Sequence, residues 1–238
     1  MKRRDFMGQS AALGIMVAAG SLSPTFVSAA STIKKLTPPS KGKIPVAFTI
    51  SEGATVIDFA GPWEVFQDVM IESRGSNHAD HMPFELYTVS DTTAPVTGSG
   101  GLKLVPDYTF ESAPQPKVIV VPAQRGSQAQ HAWLRKMLPS TDIIMSVCTG
   151  AFQLGRAGLL AGKSATTHHN FFEQFEKAFP DVKLKRGLRF VEEEAISTAG
   201  GLSSGIDLAL RVVERYFGRE VAQTTATYME YQSKGWIV

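Results

Sequence analysis

Cys148 is the only cysteine in the chain of 238 residues, and the sequence around it suits a nucleophile. The apolar run at residues 143–147 predicts a buried parallel strand, and residues 151–160 have apolar side chains at helical spacing. A thiol at such a strand-to-helix turn lies in the crevice where open α/β sheets bind ligands. It also faces the free N–H groups of the helix, which favour a thiolate with a lowered pKa. The alternative is a small buried side chain without reactivity.

Two side chains are candidates for proton exchange with Cys148. Asp58 follows the first predicted strand, and its carboxyl group could donate a hydrogen bond to a thiolate or act as a general base. The alternative is a carboxylate that only interacts with the dipole of its helix. His168 follows a short extended segment and could shuttle protons to the thiol. The alternative for His168 is a hydrogen-bonded surface histidine, which is also the interpretation favoured for His169.

A pair of backbone N–H groups could stabilise negative charge beside the thiol. Thr149 offers one N–H group and a hydroxyl, and the second N–H could come from Ala123 or Gln124, which follow Pro122.

No cofactor or metal is expected. His78 and His81 are three residues apart and His131 is isolated, which is too few ligands for a metal site. The glycine-rich segment 200–205 matches neither a P-loop nor the dinucleotide fingerprint, so close packing in a turn is expected there.

Strands are predicted to alternate with helices along the chain. Strands are predicted at residues 44–50, 84–90 and 118–121 as well as before Cys148, and helices at 56–70, 128–138, 168–179 and 220–231. A polar loop is predicted at 77–82, a hairpin or a pair of short strands at 95–105, and two strands flanking an acidic turn at 192–194. This alternation predicts an α/β fold with a mostly parallel sheet covered by helices on both faces.

One further helix is predicted after the glycine-rich segment. Ser203 or Ser204 is expected to cap it, and Gly218 to end it. Its predicted buried face comprises Ile206, Ala209, Leu210, Val213 and Phe217.

Residues 1–30 have the features of a signal peptide. Arg3 and Arg4 precede an apolar stretch at residues 11–20, which is too short to span a bilayer, and small residues at 27–30 form a cleavage site. The paired arginines resemble a twin-arginine export signal, although an ordinary secretory signal would also export the chain. We therefore expect a periplasmic protein with a linker at residues 31–43 and one domain at 44–238.

The charge of the exported chain is expected to be balanced. The full chain has 24 basic and 22 acidic residues, and cleavage after Ala30 would leave 21 of each. This balance argues against binding to nucleic acid and against stable membrane association after cleavage. One cysteine excludes an internal disulfide. The expected partners are the twin-arginine export machinery and a small-molecule substrate.

Five separated segments resemble the ThiJ/PfpI family of the class I glutamine amidotransferase-like superfamily. They read GATVIDFAGPWEVF (53–66), SVCTGAFQL (146–154), GLLAGKSATTH (158–168), TAGGLSSGIDLAL (198–210) and YMEY (228–231). Isonitrile hydratases and the sensor domains of AraC-type regulators are the most similar subgroups. The resemblance implies a flavodoxin-like three-layer sandwich with a nucleophile-elbow cysteine, and a homodimer, as in many members.

The resemblance also implies roles for individual residues. It assigns catalytic roles to Cys148, Asp58, Thr149 and His168. Gly53, Ala123 and Gln124 are expected to bind the substrate or an oxyanion. The family often has Pro-Gly-Gly after the central strand, whereas this chain has PAQRG at residues 122–126. This departure leaves the substrate open.

The expected function is hydration of an isonitrile to an N-substituted formamide. The Cys148 thiolate would attack the terminal carbon, Asp58 would supply or relay a proton, and water would complete the reaction. One alternative is a glyoxalase, deglycase or amidase-type hydrolase that uses the same cysteine. The other is a ligand-binding or redox-sensing domain in which Cys148 is oxidised.

Overall fold

The computed structural model describes residues 35–238. The predicted signal peptide and residues 31–34 of the predicted linker lie outside the described residues. Leu36, in the described part of the linker, packs against the core, and its N–H donates to the carbonyl oxygen of Arg215 at 2.9 Å.

Seven strands of the described chain form one sheet, and two pairs of short strands lie outside it. The strands are β1 (Ile44–Thr49), β2 (Phe84–Ser90), β3 (Val96–Thr97), β4 (Lys103–Leu104), β5 (Tyr108–Thr109), β6 (Val118–Val121), β7 (Ile143–Ser146), β8 (Ser164–Ala165), β9 (Lys183–Leu184), β10 (Phe190–Glu193) and β11 (Ile196–Ala199). The order in the large sheet is β10-β11-β7-β6-β1-β2-β5. All neighbours are parallel except β10, which is antiparallel to β11 at one edge.

Helices cover both faces of this sheet. They are α1 (Val56–Gln67), α2 (His78–His81), α3 (Gln128–Met137), α4 (Gly150–Arg156), α5 (Phe172–Ala178), α6 (Ser204–Phe217) and α7 (Arg219–Tyr228). One hydrophobic cluster joins the sheet to α1, α6 and α7, and a second joins it to α3, α4 and α5. The predicted three-layer α/β sandwich with a mostly parallel sheet is therefore confirmed.

The central strands are buried on both sides, which explains their continuous apolar sequence. In β1, Phe48 belongs to one cluster and Ala47 to the other, and both are fully buried. Because β1, β6 and β7 are adjacent and parallel, their carboxyl ends meet at one edge of the sheet. The loops that follow these strands therefore lie side by side.

Several predicted boundaries were wrong. Residues 77–82 are not a loop throughout, because a capping box between Asn77 and Asp80 begins the one-turn helix α2. Glu192 and Glu193 belong to β10 rather than to the turn. Helix α1 ends at Gln67 and α7 at Tyr228, and a 3₁₀ turn at His169–Phe171 precedes α5.

The helix α6 begins at the predicted place but without the predicted cap. Ser203 occupies the N-cap position, yet its side chain makes no capping hydrogen bond. Ile206 and Phe217 are only partly buried, whereas Leu208 and Val212 are fully buried. Gly218, with φ of 91°, ends the helix as predicted.

Within residues 35–238, no helix has both the length and the apolar character needed to cross a bilayer.

Candidate active site

Cys148 lies on a sharp turn between β7 and α4. Its φ of 57° is in the left-handed region, which is uncommon for a residue with a side chain. The N–H of Cys148 donates to the carbonyl oxygen of Gly200 at 2.7 Å, and its carbonyl oxygen accepts from the Thr167 hydroxyl at 2.9 Å. These two bonds hold the strained residue in place, and the predicted nucleophile elbow is present.

Gly150 makes the tight turn sterically possible. A Cβ atom at this position would lie 2.1 Å from the carbonyl oxygen of Val121 on the neighbouring strand β6. Only glycine therefore allows α4 to begin so close to the sheet.

Asp58, in the first turn of α1, is fully buried beside Cys148. Its Oδ2 accepts a hydrogen bond of 3.0 Å from the N–H of Ala123, whereas its Oδ1 is buried without a hydrogen-bond partner among the described residues. Burial raises the pKa of Asp58 to about 7, because the Ala123 N–H and the neighbouring Cys148 side chain only partly offset the loss of solvent. Asp58 therefore changes protonation near neutral pH.

The prediction of a lowered thiol pKa was wrong. Burial of Cys148, which is 7% exposed, and the negative charge of Asp58 together raise its pKa to about 11. The N–H groups of Thr149 and Leu202 and the Thr149 hydroxyl act in the opposite direction but do not outweigh them. Between about pH 7 and about pH 11 the coupled pair thus carries one proton and one negative charge.

Leu202 is a candidate site residue that the sequence did not reveal. It lies between β11 and α6 with φ of 49°, and its backbone N–H reaches the Cys148 side chain. The glycine-rich segment was interpreted only as a closely packed turn. The strand order could have identified Leu202. Because β11 lies next to β7 in the sheet, the loop after β11 must lie beside the turn that carries Cys148.

The N–H groups of Ala123 and Gly53 and the side chain of Gln124 make hydrogen bonds elsewhere. The N–H of Ala123 orients Asp58, and the N–H of Gly53 donates to the carbonyl oxygen of Thr97 at 2.8 Å. The side-chain amide of Gln124 donates to Thr49 Oγ1 at 2.9 Å and accepts from the hydroxyl of Ser51 at 3.1 Å. Thr149 is thus the predicted residue whose N–H faces the sulfur.

His168 lies behind the Leu202 loop. Its Nδ1 accepts from the N–H of Asn170 at 3.2 Å, and its ring stacks on that of His169 with centroids 4.5 Å apart. A Cβ atom at Gly201 would lie 2.3 Å from the imidazole ring, so the ring packs directly against the loop backbone. Burial, with a smaller contribution from His169, lowers the pKa of His168. Its contacts in the described structure support the loop rather than join the thiol.

A small pocket opens beside Thr149. It has a volume of about 190 Å³, and its walls include Phe152, Arg156 and Phe171. Gln124, Gln153 and Gln174 also line this pocket, which adjoins the elbow but includes neither Cys148 nor Asp58 in its walls.

In the described part of the chain, no three histidine, cysteine or acidic side chains are grouped in a way that could hold a metal ion.

The order of these elements and the elbow match a known family, and the sequence comparison decides which one. Residues 45–215 match the DJ-1/PfpI family. The chain belongs to the DJ-1/PfpI family. It is 30% identical over 194 residues to the isonitrile hydratase of Pseudomonas putida, an alignment that covers 79% of this chain and 78% of that protein.

Other members of the family are more distant. The HTH-type transcriptional regulator GbdR of Pseudomonas aeruginosa is 27% identical over 63% of this DJ-1/PfpI chain, and the match spans only 42% of the regulator. The crystal structure of a ThiJ/PfpI family protein from Pseudomonas syringae superposes with a TM-score of 0.70, at 24% identity, over 91% of this chain and 84% of that chain. This last comparison shows a shared fold.

Proposed function

We propose that this protein is a cysteine-dependent enzyme that hydrates an isonitrile to an N-substituted formamide. The observation that carries the proposal is the position of Cys148 on its left-handed turn beside the fully buried Asp58, whose carboxyl group accepts a hydrogen bond from the N–H of Ala123. The similarity to an isonitrile hydratase supports the choice of reaction.

In the first step, the Cys148 sulfur forms a bond to the terminal carbon of the isonitrile. The same carbon must gain a proton, and Asp58 is placed to deliver the one that it shares with the thiol. The product is a thioimidate, in which the carbon carries sulfur and hydrogen and is doubly bonded to nitrogen. The N–H groups of Thr149 and Leu202 stabilise the thiolate before it attacks.

In the second step, water adds to the thioimidate carbon. The carboxylate of Asp58 takes one proton from the water and passes it to the nitrogen, which gives a tetrahedral intermediate with a hydroxyl group. Loss of the hydroxyl proton then forms the formyl C=O bond as the carbon–sulfur bond breaks. The formamide leaves, and the proton returns to the pair of Asp58 and Cys148. The net reaction consumes one isonitrile and one water molecule.

The test is turnover of simple isonitriles by the purified protein, with the formamide measured by mass spectrometry. In water labelled with ¹⁸O, the formyl oxygen should carry the label. We expect the variant Cys148→Ser to lose activity and Asp58→Asn to be severely impaired. Formamide production that survives in Cys148→Ala would contradict the proposal. Turnover of amides or glyoxal adducts instead of isonitriles would point to the hydrolase alternative.

We further propose that the protein is exported to the periplasm by the twin-arginine pathway. The support is the sequence of residues 1–30. Replacing Arg3 and Arg4 by lysines should keep the protein in the cytoplasm, whereas the unchanged chain should be found in the periplasmic fraction. Equal periplasmic amounts of both would overturn this proposal.

A further inference from the structure

We propose that Gln153 is a positioning residue, which fastens the loop at residues 122–126 to the helix of the nucleophile and thereby keeps the Ala123 N–H on Asp58. This inference deepens the proposed function and rests on it for the activity measurements. Gln153 lies in α4, is 2% exposed, and lines the pocket beside Thr149.

The contacts of Gln153 define the orientation of its amide. Its Nε2 lies 2.9 Å from the carbonyl oxygen of Gln124 and 3.3 Å from that of Arg125. Since carbonyl oxygens only accept hydrogen bonds, the NH₂ group must face them, and Oε1 faces His131 Nε2 at 2.9 Å. His131 therefore donates to Gln153 and fixes which way its amide points.

The fastened loop begins with the residue that orients Asp58. The N–H of Ala123 donates to Asp58, and its carbonyl oxygen accepts from the N–H of Thr55 at 2.9 Å. The next two carbonyl groups along the chain are the ones that Gln153 holds. The loop is thus fixed to α1 on one side and to α4 on the other, and Gln153 connects the nucleophile's helix to the support of its acidic partner.

The packing around Gln153 leaves little room for alternative positions. Gly126 has φ of 69°, and a Cβ atom there would lie 2.2 Å from Gln153 Oε1. Two other hydrogen bonds hold the loop against β1 and the turn that follows β1. The N–H of Gly126 donates to the Ser51 hydroxyl at 3.0 Å, and the side-chain amide of Gln124 donates to the Thr49 hydroxyl. These bonds do not involve Gln153. A variant at residue 153 should therefore retain the fold while losing the alignment of the loop.

Loss of this alignment should change the pKa of Asp58. The Ala123 N–H lowers the pKa of Asp58 against the effect of burial, so a displaced loop should raise that pKa further. The titratable group that faces Asp58 is Cys148, on the elbow. Both groups should therefore respond when the loop moves, although Gln153 touches neither through its side-chain hydrogen bonds.

The experiment compares Gln153→Leu, which cannot hydrogen-bond, with a matched control. Gln128→Leu makes the same change at an exposed position of the neighbouring helix α3. We expect Gln153→Leu to lower kcat for a simple isonitrile by between about 10-fold and 100-fold. The lower midpoint of the pH–rate profile should move upward. The control should behave as the unchanged protein.

A second measurement separates this inference from the proposed reaction. The pH dependence of Cys148 alkylation by iodoacetamide reports the coupled pair without turnover, so it remains informative if no isonitrile is hydrated. The inference is overturned if Gln153→Leu leaves the lower midpoint of this profile unchanged. Should that variant fail to fold, His131→Phe, which removes the donor that orients Gln153, must give the same upward movement.

Discussion

The replacement Asp58→Asn should change how the stability of the protein depends on pH. In the folded chain burial raises the pKa of Asp58 from 3.8 to about 7. A tenfold change in a protonation equilibrium corresponds to about 1.4 kcal/mol, so ionising this buried group costs about 4 kcal/mol. Asparagine retains the shape and an oxygen that accepts from Ala123, but it never ionises.

The direction of the effect follows from proton binding. Between about pH 4 and about pH 7 the folded chain retains the proton of Asp58 while the unfolded chain has lost it. The contribution of Asp58 to the free energy of unfolding is thus fully present below about pH 4 and is lost as the pH rises to about 7. The variant lacks this loss. Its free energy of unfolding, relative to that of the unchanged protein, should therefore increase by about 4 kcal/mol between about pH 4 and about pH 8.

The assay is urea unfolding followed by circular dichroism at several values of pH. Other titrating groups are common to both proteins, so they cancel in the difference. Asp181→Asn, which removes an exposed carboxylate, is the control and should show no such trend. A difference between Asp58→Asn and the unchanged protein that stays constant across this range of pH would refute the reasoning.

Three further predictions concern the elbow and the core. In Asp58→Asn, the pH dependence of alkylation by iodoacetamide should give Cys148 a pKa below about 11, because the charge of Asp58 is one of the causes that raise this pKa. An unchanged or higher pKa would show that the charge of Asp58 does not raise the pKa of the thiol. Gly150→Ala should reduce the free energy of unfolding by about 3 kcal/mol, because its Cβ would lie 2.1 Å from a carbonyl oxygen, and an unaltered urea midpoint would contradict the steric explanation. Trp236→Ala should cost about 3–5 kcal/mol in the same assay, since the fully buried indole ring would leave a cavity, whereas a loss below about 1 kcal/mol would mean that the C-terminal segment contributes little to the core.

The sequence by itself determined the architecture and the place of the candidate nucleophile. Continuous apolar runs such as Val118–Val121 are typical of strands buried on both faces, and their alternation with helical patterns indicates a parallel sheet. Cys148 was located at the end of such a run, and Asp58 at the start of the first helix. Both inferences depend on local periodicity and on chain order, which are properties that a sequence contains.

The tertiary structure decided the chemistry of the site. The pKa values of Asp58 and Cys148 depend mainly on burial, which is produced by residues far away in the chain, so the local expectation of a thiolate stabilised by its helix was wrong. The Ala123 N–H that orients Asp58 is 65 positions away from it, and Leu202 reaches the sulfur only because β11 lies next to β7. Hydrogen-bond partners and loss of solvent depend on the assembled fold, whereas strand and helix patterns can be recognised from the local sequence.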